Sequence, residues 1–340
     1  MDTMTESIQA GFPGIGCAYT DAEGNCKTEN RGVRDRESGA PVDDDTIFPA
    51  CSISKFVTAL CVMRLCERSV IDIDAPVNAY LQSWKLRTGT GTESTASIRS
   101  LLSHTAGIAD GEDAFYGLRT GDPAVSLLDI LEGKTKYNNH PAREEKPQGT
   151  EFSYSDAGYC VLQQMLQDVT HKTFAETAKE LLFDPQGLEN IFFASPENVS
   201  KFSDRMAAGY DEDGKLIPGR FPYVPDLAAS GLWSTPKDLW TLAREFVLAL
   251  HGESALLEES SAREMAKPTE KYPWVGLGLF LYGDTMLVSN GWGENGQCML
   301  KMDRQTGSVS VVMTNRNPGV GQEESGVEWI ADRNMAAISD

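Results

Sequence analysis

The sequence predicts an α+β protein in which one antiparallel sheet draws strands from both chain ends and a mainly helical lobe is inserted between them. Three observations lead there. Near the start, "PGIGCAYTDAEGNCKTENRG" reads as two strands around a turn. Through the middle of the chain, the long apolar stretches carry helical spacing. Beyond residue 272, "WVGLGLFLYGD", "TMLVSNG" and "QCMLKMDRQTGSVSVVMTN" alternate or are rich in β-branched residues. Strands far apart in sequence share a sheet when the termini meet, and the helical middle then becomes a separate layer. The expected division is residues 1–60 with 215–340 as an α/β lobe and 61–214 as the insertion. A binding cleft is expected between the two.

Each element follows in order. Residues 14–20 make the first strand, "DAEGN" turns, and 26–31 return. A helix over 52–67 comes next; after Lys55 it is almost wholly apolar, so it is buried on most sides. "LRTGTGTEST" is a loop, and "SIRSLLSHTAGI" opens a short helix that ends near Gly107. Residues 110–150, with their charges and prolines, are irregular. "DAGYCVLQQMLQDVTHKTF" is an amphipathic helix, and "FAETAKELLFDPQGL" a second one that stops before Pro185. In "AASGLWSTPKDLWTLAREFVLALHG", Ser234 or Thr235 caps a helix whose first residue is Pro236. The strands after residue 272 turn once at Asp303–Gly307, and "GVEWIADRNMAAI" closes the chain as a helix.

Composition removes several classes of function. The chain has 340 residues, 41% hydrophobic and 24% charged, enough for a sizeable core. Its net charge of −20 repels nucleic acid and anionic membrane surfaces alike. Seven cysteines (17, 26, 51, 61, 66, 160, 298) are odd in number and irregular in spacing, which fits reduced thiols and no disulfide framework. Neither a CxxC pair nor HExxH occurs, so no metal and no cofactor is expected. No apolar run approaches a membrane span. The first residues, "MDTMTESIQAG", lack the basic and apolar regions of a signal peptide, and the expected location is cytoplasmic.

The chemistry-bearing candidates are few. There is no Gly-x-Ser-x-Gly elbow and no GxxxxGK[ST] loop. "GWGENG" has dinucleotide spacing but runs on into the strand-like "QCMLKM", with no helix start to hold a pyrophosphate. Of four histidines (104, 140, 171, 251), none stands beside a serine in an elbow, and His104 reads as a structural turn residue. What remains is "SISK". Ser52 and Lys55 lie at i and i+3 on one helical face, at the start of a buried helix. The plain alternative is an N-cap and a snorkelling lysine. The same chain holds such a string in "STPK", Ser234 to Lys237, where Pro236 marks helix punctuation. Chemically, a desolvated lysine loses affinity for its proton and becomes a base. A serine at a helix start gains from the dipole as oxyanion charge develops.

"SISK" and "YSDAGY" (154–159) together resemble the serine β-lactamase and penicillin-binding-protein superfamily, especially class C β-lactamases with their esterase and D-aminopeptidase cousins. "LLSHTAGI", "AASGLWSTPKDL" and "SNGWGENGQC" resemble further landmarks in that family's order, so the likeness covers nearly the whole chain. It implies a β-lactamase/transpeptidase-like fold and an acyl-enzyme on Ser52, with Lys55 and Tyr154 sharing the proton work. It places Asp156 in the second motif and Ser289, Asn290 and Gly291 in the third. Trp292 would supply the second backbone N–H of the oxyanion hole beside that of Ser52.

Two departures set the expected substrate. The second motif ordinarily ends in Asn; Asp156 can accept from Lys55 but cannot donate, and its charge raises the lysine pKa, leaving Tyr154 as base. The third motif ordinarily opens with Lys or His; Ser289 offers no cation for a substrate carboxylate. The expected activity is a serine hydrolase acting on a small ester or amide that is uncharged or carries a free amine. One rival is a β-lactamase or DD-peptidase. A rival of another class is a catalytically silent penicillin- or acyl-binding protein on the same scaffold.

Overall fold

The computed structural model describes residues 11–116 and 125–336. Its main sheet has seven strands in the order β3-β2-β1-β12-β11-β10-β9. These are β1 (Gly14–Thr20), β2 (Cys26–Asp35), β3 (Ala40–Pro41), β9 (Phe280–Tyr282), β10 (Met286–Gly293), β11 (Gly296–Asp303) and β12 (Val309–Thr314). All neighbouring pairs are antiparallel, and β1 against β12 joins the two chain ends, with Ile15 opposite Thr314 and Tyr19 opposite Ser310.

The two-residue alternation of a strand divides this sheet's side chains between two layers. Ile15, Cys17, Val288, Met299 and Val312 face one way and pack with Val327, Ile330 and Ala331 of the closing helix Val327–Ala336. Ala18, Leu300, Met302, Val311 and Met313 face the other way into the main core. That core contains the helix Pro236–Ala249, capped by Thr235 with Pro236 in its first turn, and the helix Ser54–Glu67. Every residue of Ser54–Glu67 from Ser54 to Met63 is buried, and Phe56 meets Phe246 edge-on at 5.2 Å. Helix Asp156–Thr170, buried from Ala157 through Leu166, extends the same core.

A second sheet, β4 (Phe48–Cys51), β8 (Leu232–Ser234) and β7 (Ile191–Phe193), runs in the order β4-β8-β7 and delivers the chain to residue 52. Two-residue strands β5 (Arg87–Thr88) and β6 (Arg143–Glu144) pair in parallel inside segments expected to be loop and irregular chain. The irregular region also holds a short helix, Leu127–Leu131, whose cap Ser126 accepts from the Asp129 N–H. The second amphipathic helix departs from expectation. Its α-helical part is Phe174–Ala178, followed by a wide π turn over Lys179–Phe183 and a 3-10 turn over Asp184–Gln186. Pro185 sits in the first turn of that last segment, where its missing N–H is not needed.

Candidate active site

The turn between β4 and the buried helix is held in an unusual conformation. Cys51 has φ of +48°, the left-handed region, which costs a non-glycine residue about 1 kcal/mol or more. The Ser54 hydroxyl fixes it by donating to the Cys51 carbonyl at 2.6 Å and accepting the Leu232 N–H at 2.9 Å. The helix therefore starts at Ser54 and not at residue 52, and its N-cap, Ile53, makes no side-chain cap. Ser52 stands in the turn, half-buried, with its hydroxyl not used as a cap. Two glycines let backbone approach this turn. A side chain on Gly291 would begin 2.4 Å from the Ala50 carbonyl oxygen, and one on Gly278 2.8 Å from that of Lys55.

Lys55 is 2% exposed, and its ammonium is surrounded by acceptors. Nζ lies 2.5 Å from Asp156 Oδ1, 3.0 Å from the Ala229 carbonyl and 3.3 Å from Ser52 Oγ. The contacts with Ala229 and Ser52 are hydrogen bonds, and the one with Asp156 is the ion pair. The rings of Tyr154 and Tyr159 add π faces at 4.7 and 5.5 Å. Burial alone pushes the lysine pKa down, but Asp156 and then Tyr154 outweigh it, and the net shift is upward. That direction favours the ammonium form of Lys55, in line with the expectation that rested on Asp156.

Tyr154 reaches Ser52 and Lys55 from the segment before helix Asp156–Thr170. Tyr154 is 40% exposed as a residue, but its phenol end is buried and that burial pushes its pKa up; the Lys55 charge draws it down, Asp156 pushes it up, and the polar neighbours Lys55 and Ser52 lower it. The His104 ring stacks on it at 4.4 Å. His104 adopts a left-handed turn (φ +56°), as a turn residue, and its Nδ1 accepts the Ser155 N–H at 3.1 Å. Burial and the nearby Lys55 charge hold its imidazole well below the usual histidine range. It is a neutral prop for Tyr154.

Three more groups, none apparent from the sequence, complete this wall. Asp110 caps helix Asp156–Thr170, accepting from Ser155 Oγ (2.7 Å), Asp156 N (2.7 Å) and Ala157 N (3.0 Å). Burial and the Asp156 charge raise its pKa despite those bonds. Asp226, fully buried, accepts a short hydrogen bond from the Tyr137 hydroxyl. Burial, then Asp156, pushes its carboxyl up to about 8. Asp156 is thus the acid paired with the ammonium, and burial together with its charge raises the carboxyls of both Asp110 and Asp226.

The third-motif residues lie on β10. Ser289 and Asn290 line a tight recess with Ser52, Lys55, Tyr154 and Phe280. Gly291 packs against Ala50, its carbonyl accepting from Gln322 at 3.0 Å. Trp292 stands at the rim of the cavity that opens on Ser52, its indole N–H donating to Asn317 at 2.8 Å. That cavity holds about 310 Å³ and is walled by Asp110, Asp156 and Glu294 with Phe115, Tyr116 and Tyr137. Among the described residues no lysine or arginine lines it. The nearest third-motif cation by position, Lys301 on β11, is turned to the far side and paired with Glu328 (3.0 Å) and Asp332 (2.6 Å). A larger groove of about 700 Å³ beside Arg99 and Glu264 contains none of the predicted site residues. Among the described residues no three His, Cys, Asp or Glu side chains form a metal-holding group, and no helix is long and apolar enough to cross a membrane.

The chain is similar to several known proteins. Esterase EstB of Burkholderia gladioli is 29% identical over 196 residues, 56% of this chain and 48% of that one. Teichoic acid D-alanine hydrolase of Staphylococcus aureus is 26% identical over 213 residues, 62% of this chain and 48% of that one. The chain spans about half the length of these curated relatives. Among solved structures, the octameric penicillin-binding protein homologue from Pyrococcus abyssi superposes with a TM-score of 0.79 at 22% identity, over 98% of this chain and 77% of that one. D-amino acid amidase from Ochrobactrum anthropi SV3, complexed with L-phenylalanine amide, gives 0.78 at 20% identity, over 98% and 95%. These two likenesses carry the β-lactamase/transpeptidase fold. The model of the Beta-lactamase family matches residues 1–334, and with it the chain belongs to that family.

Proposed function

We propose that this protein is a serine hydrolase that cleaves a small ester or amide through an acyl-enzyme on Ser52. The observation that carries the reading is the convergence of Lys55 and Tyr154 on a serine whose hydroxyl no helix cap consumes. Lys55 has no free lone pair, so it is the fixed cation of the site and not its base. The Tyr154 phenolate takes the Ser52 proton as Oγ attacks the carbonyl carbon; Lys55 stabilises the charge on both oxygens. Backbone N–H groups of Ser52 and Trp292 receive the oxyanion. The Tyr154 phenol then protonates the departing alcohol or amine, and water releases the acyl group by the reverse sequence.

A cavity with acidic and aromatic walls, whose described lining adds no lysine or arginine to the Asp156-paired Lys55, disfavours substrates that carry a carboxylate, such as β-lactams and D-Ala-D-Ala peptides. It favours acyl groups that are uncharged or bear an ammonium, which Asp156 and the aromatic faces would attract. The names of the S. aureus hydrolase and the O. anthropi amidase fit the second of these. A panel of short acyl esters, D-amino amides and nitrocefin tests the reading. Turnover of esters or D-amino amides well above nitrocefin is expected; nitrocefin as the best substrate would overturn it.

A further inference from the structure

Two cysteines from separate strands meet beside Ser52. Cys51 ends β4 and directly precedes the nucleophile; Cys298 lies on β11, opposite Gly291, the residue before Trp292. Two glycines of β10 make room for them. A side chain on Gly293 would begin 3.0 Å from Cys51 Sγ, and one on Gly291 would begin 3.2 Å from Cys298 Cβ. Positions 291 and 293 share one face of the strand, so both cysteines lie against that face. Each thiol also reaches into the other's strand. Cys298 Sγ donates to the Pro49 carbonyl of β4 at 2.9 Å, and Cys51 Sγ lies 3.7 Å from the Gly296 carbonyl of β11. The two side chains hydrogen-bond to one another, and both are free thiols. Cys51 borders the 310 Å³ cavity that opens on Ser52, whereas Cys298 is fully buried behind it.

We propose that Cys51 and Cys298 are an oxidative modification site, a thiol pair that a peroxide converts to a disulfide and that thereby slows turnover at Ser52. Cys51 meets the oxidant first, because it alone of the two borders the cavity. Its sulfur attacks one peroxide oxygen; the O–O bond breaks, one water leaves, and Cys51 becomes a sulfenic acid. The Cys298 sulfur then displaces that hydroxyl, which departs with the Cys298 proton as a second water. Two thiols have lost two electrons and the peroxide has gained two. Burial, then Cys51, holds the Cys298 thiol well above the usual cysteine range, which suits the partner that reacts second. A disulfide closes the sulfurs to about 2.05 Å, well inside hydrogen-bonding distance, so one strand must shift. Cys51 sits in the left-handed turn that presents Ser52, and a shift there moves Ser52 relative to Lys55 and Tyr154. This control of turnover rests on the acyl-enzyme reading above; formation of the bridge does not.

The test treats the full chain with hydrogen peroxide, blocks remaining thiols with N-ethylmaleimide, and maps peptides without reduction. Hydrolysis of 4-nitrophenyl butyrate is followed in parallel. Turnover by the untreated protein, and its loss in Ser52→Ala, checks the underlying reading separately from the bridge. Treated wild type is expected to lose about 2 Da, with the peptides of Cys51 and Cys298 joined. Its turnover should fall by about tenfold or more and return with dithiothreitol. Each variant is compared with its own untreated rate. Cys51→Ser should resist the peroxide. Cys298→Ser, which keeps a donor for the Pro49 carbonyl, leaves Cys51 without its partner, so Cys51 should pass on to the sulfinic acid and recovery in dithiothreitol should be lost. Both cysteines alkylated after treatment, a bridge between another pair, or a sulfinic acid on Cys51 of the wild type with Cys298 still free overturns the site. A bridge with unchanged turnover overturns the control of the enzyme. So does inactivation of Cys51→Ser equal to that of wild type, or full recovery of Cys298→Ser in dithiothreitol.

Discussion

The chain contains Ser-x-x-Lys in two settings, and the contrast shows what turns a common string into a candidate site. At residues 234–237 the neighbouring Thr235 caps a helix by accepting from the Asp238 N–H at 3.2 Å. The Ser234 hydroxyl is buried against the Thr235 carbonyl at 2.7 Å, Pro236 occupies the first turn, and Lys237 points to solvent. At residues 52–55 the serine lies outside the helix and the lysine is sunk in the core with a carboxylate at 2.5 Å. The spacing is identical. Burial of the cation, and the groups brought to it from residues 154–156 and 229, make the difference.

Four predictions probe that contrast, from the largest effect down. Ser52→Ala is expected to lower kcat/KM for any accepted ester by on the order of 10⁴ or more. Ser234→Ala should cost only about 1 kcal/mol of stability in chemical denaturation and leave turnover within about twofold. Comparable losses from the two would erase the distinction.

The lysines are next. Lys55→Met strands the Asp156 carboxylate and is expected to destabilise the fold by about 3–5 kcal/mol while abolishing most activity. Lys237→Met should stay within about 0.5 kcal/mol of wild type. Because the folded pKa of Lys55 is raised, its stabilising contribution is complete below the unfolded value of 10.5 and is lost as pH rises through the higher folded value. Loss of stability on moving from pH 8 to pH 6 would contradict that sign.

A third prediction concerns the base. Since the Tyr154 phenol is raised from 10.0 and its phenolate is the reactive form, kcat/KM should still be climbing with pH at pH 9. Asp156 is one of the groups raising it, so Asp156→Asn should move the rising limb to lower pH. A limb that stays put, or a wild-type profile flat above pH 7, would remove Tyr154 from the role.

The smallest effect belongs to Asp226. Its carboxyl is raised to about 8 by burial and then by Asp156, with Tyr137 and Lys55 pulling the other way. A raised acid favours folding most below its unfolded value and loses that advantage as pH rises through 8. Asp226→Asn, which still accepts from Tyr137, should therefore raise Tm relative to wild type at pH 9 and by less at pH 5. A constant offset would mean that the charge is not what matters.

Much of the site was legible because its parts sit in short strings. Ser52 with Lys55, and Tyr154 with Asp156, each span a few residues, and the Asp-for-Asn and Ser-for-Lys departures are visible one letter at a time. The sheet joining the chain ends was legible for a related reason: strand alternation survives without knowledge of the partner. Asp110, Tyr137 and Asp226 were not. They come from three separate connections, and what marks them is three-dimensional: a cap on another segment's helix and a buried hydrogen bond across 89 residues. The start of the buried helix was misjudged by two residues because nothing in "ACSIS" announces a left-handed cysteine, a conformation that Gly or Asn would have signalled. Pairing of β5 with β6 rests on two residues each, too few for any period to emerge.

The most direct test is covalent labelling followed by peptide mapping. The protein is treated with a fluorophosphonate and with an activated short-chain ester, and the modified residue is located by mass. The account predicts one adduct, on Ser52, lost in Ser52→Ala and sharply slowed in Tyr154→Phe. An adduct on another residue, or ester turnover undiminished without the Ser52 hydroxyl, would contradict it.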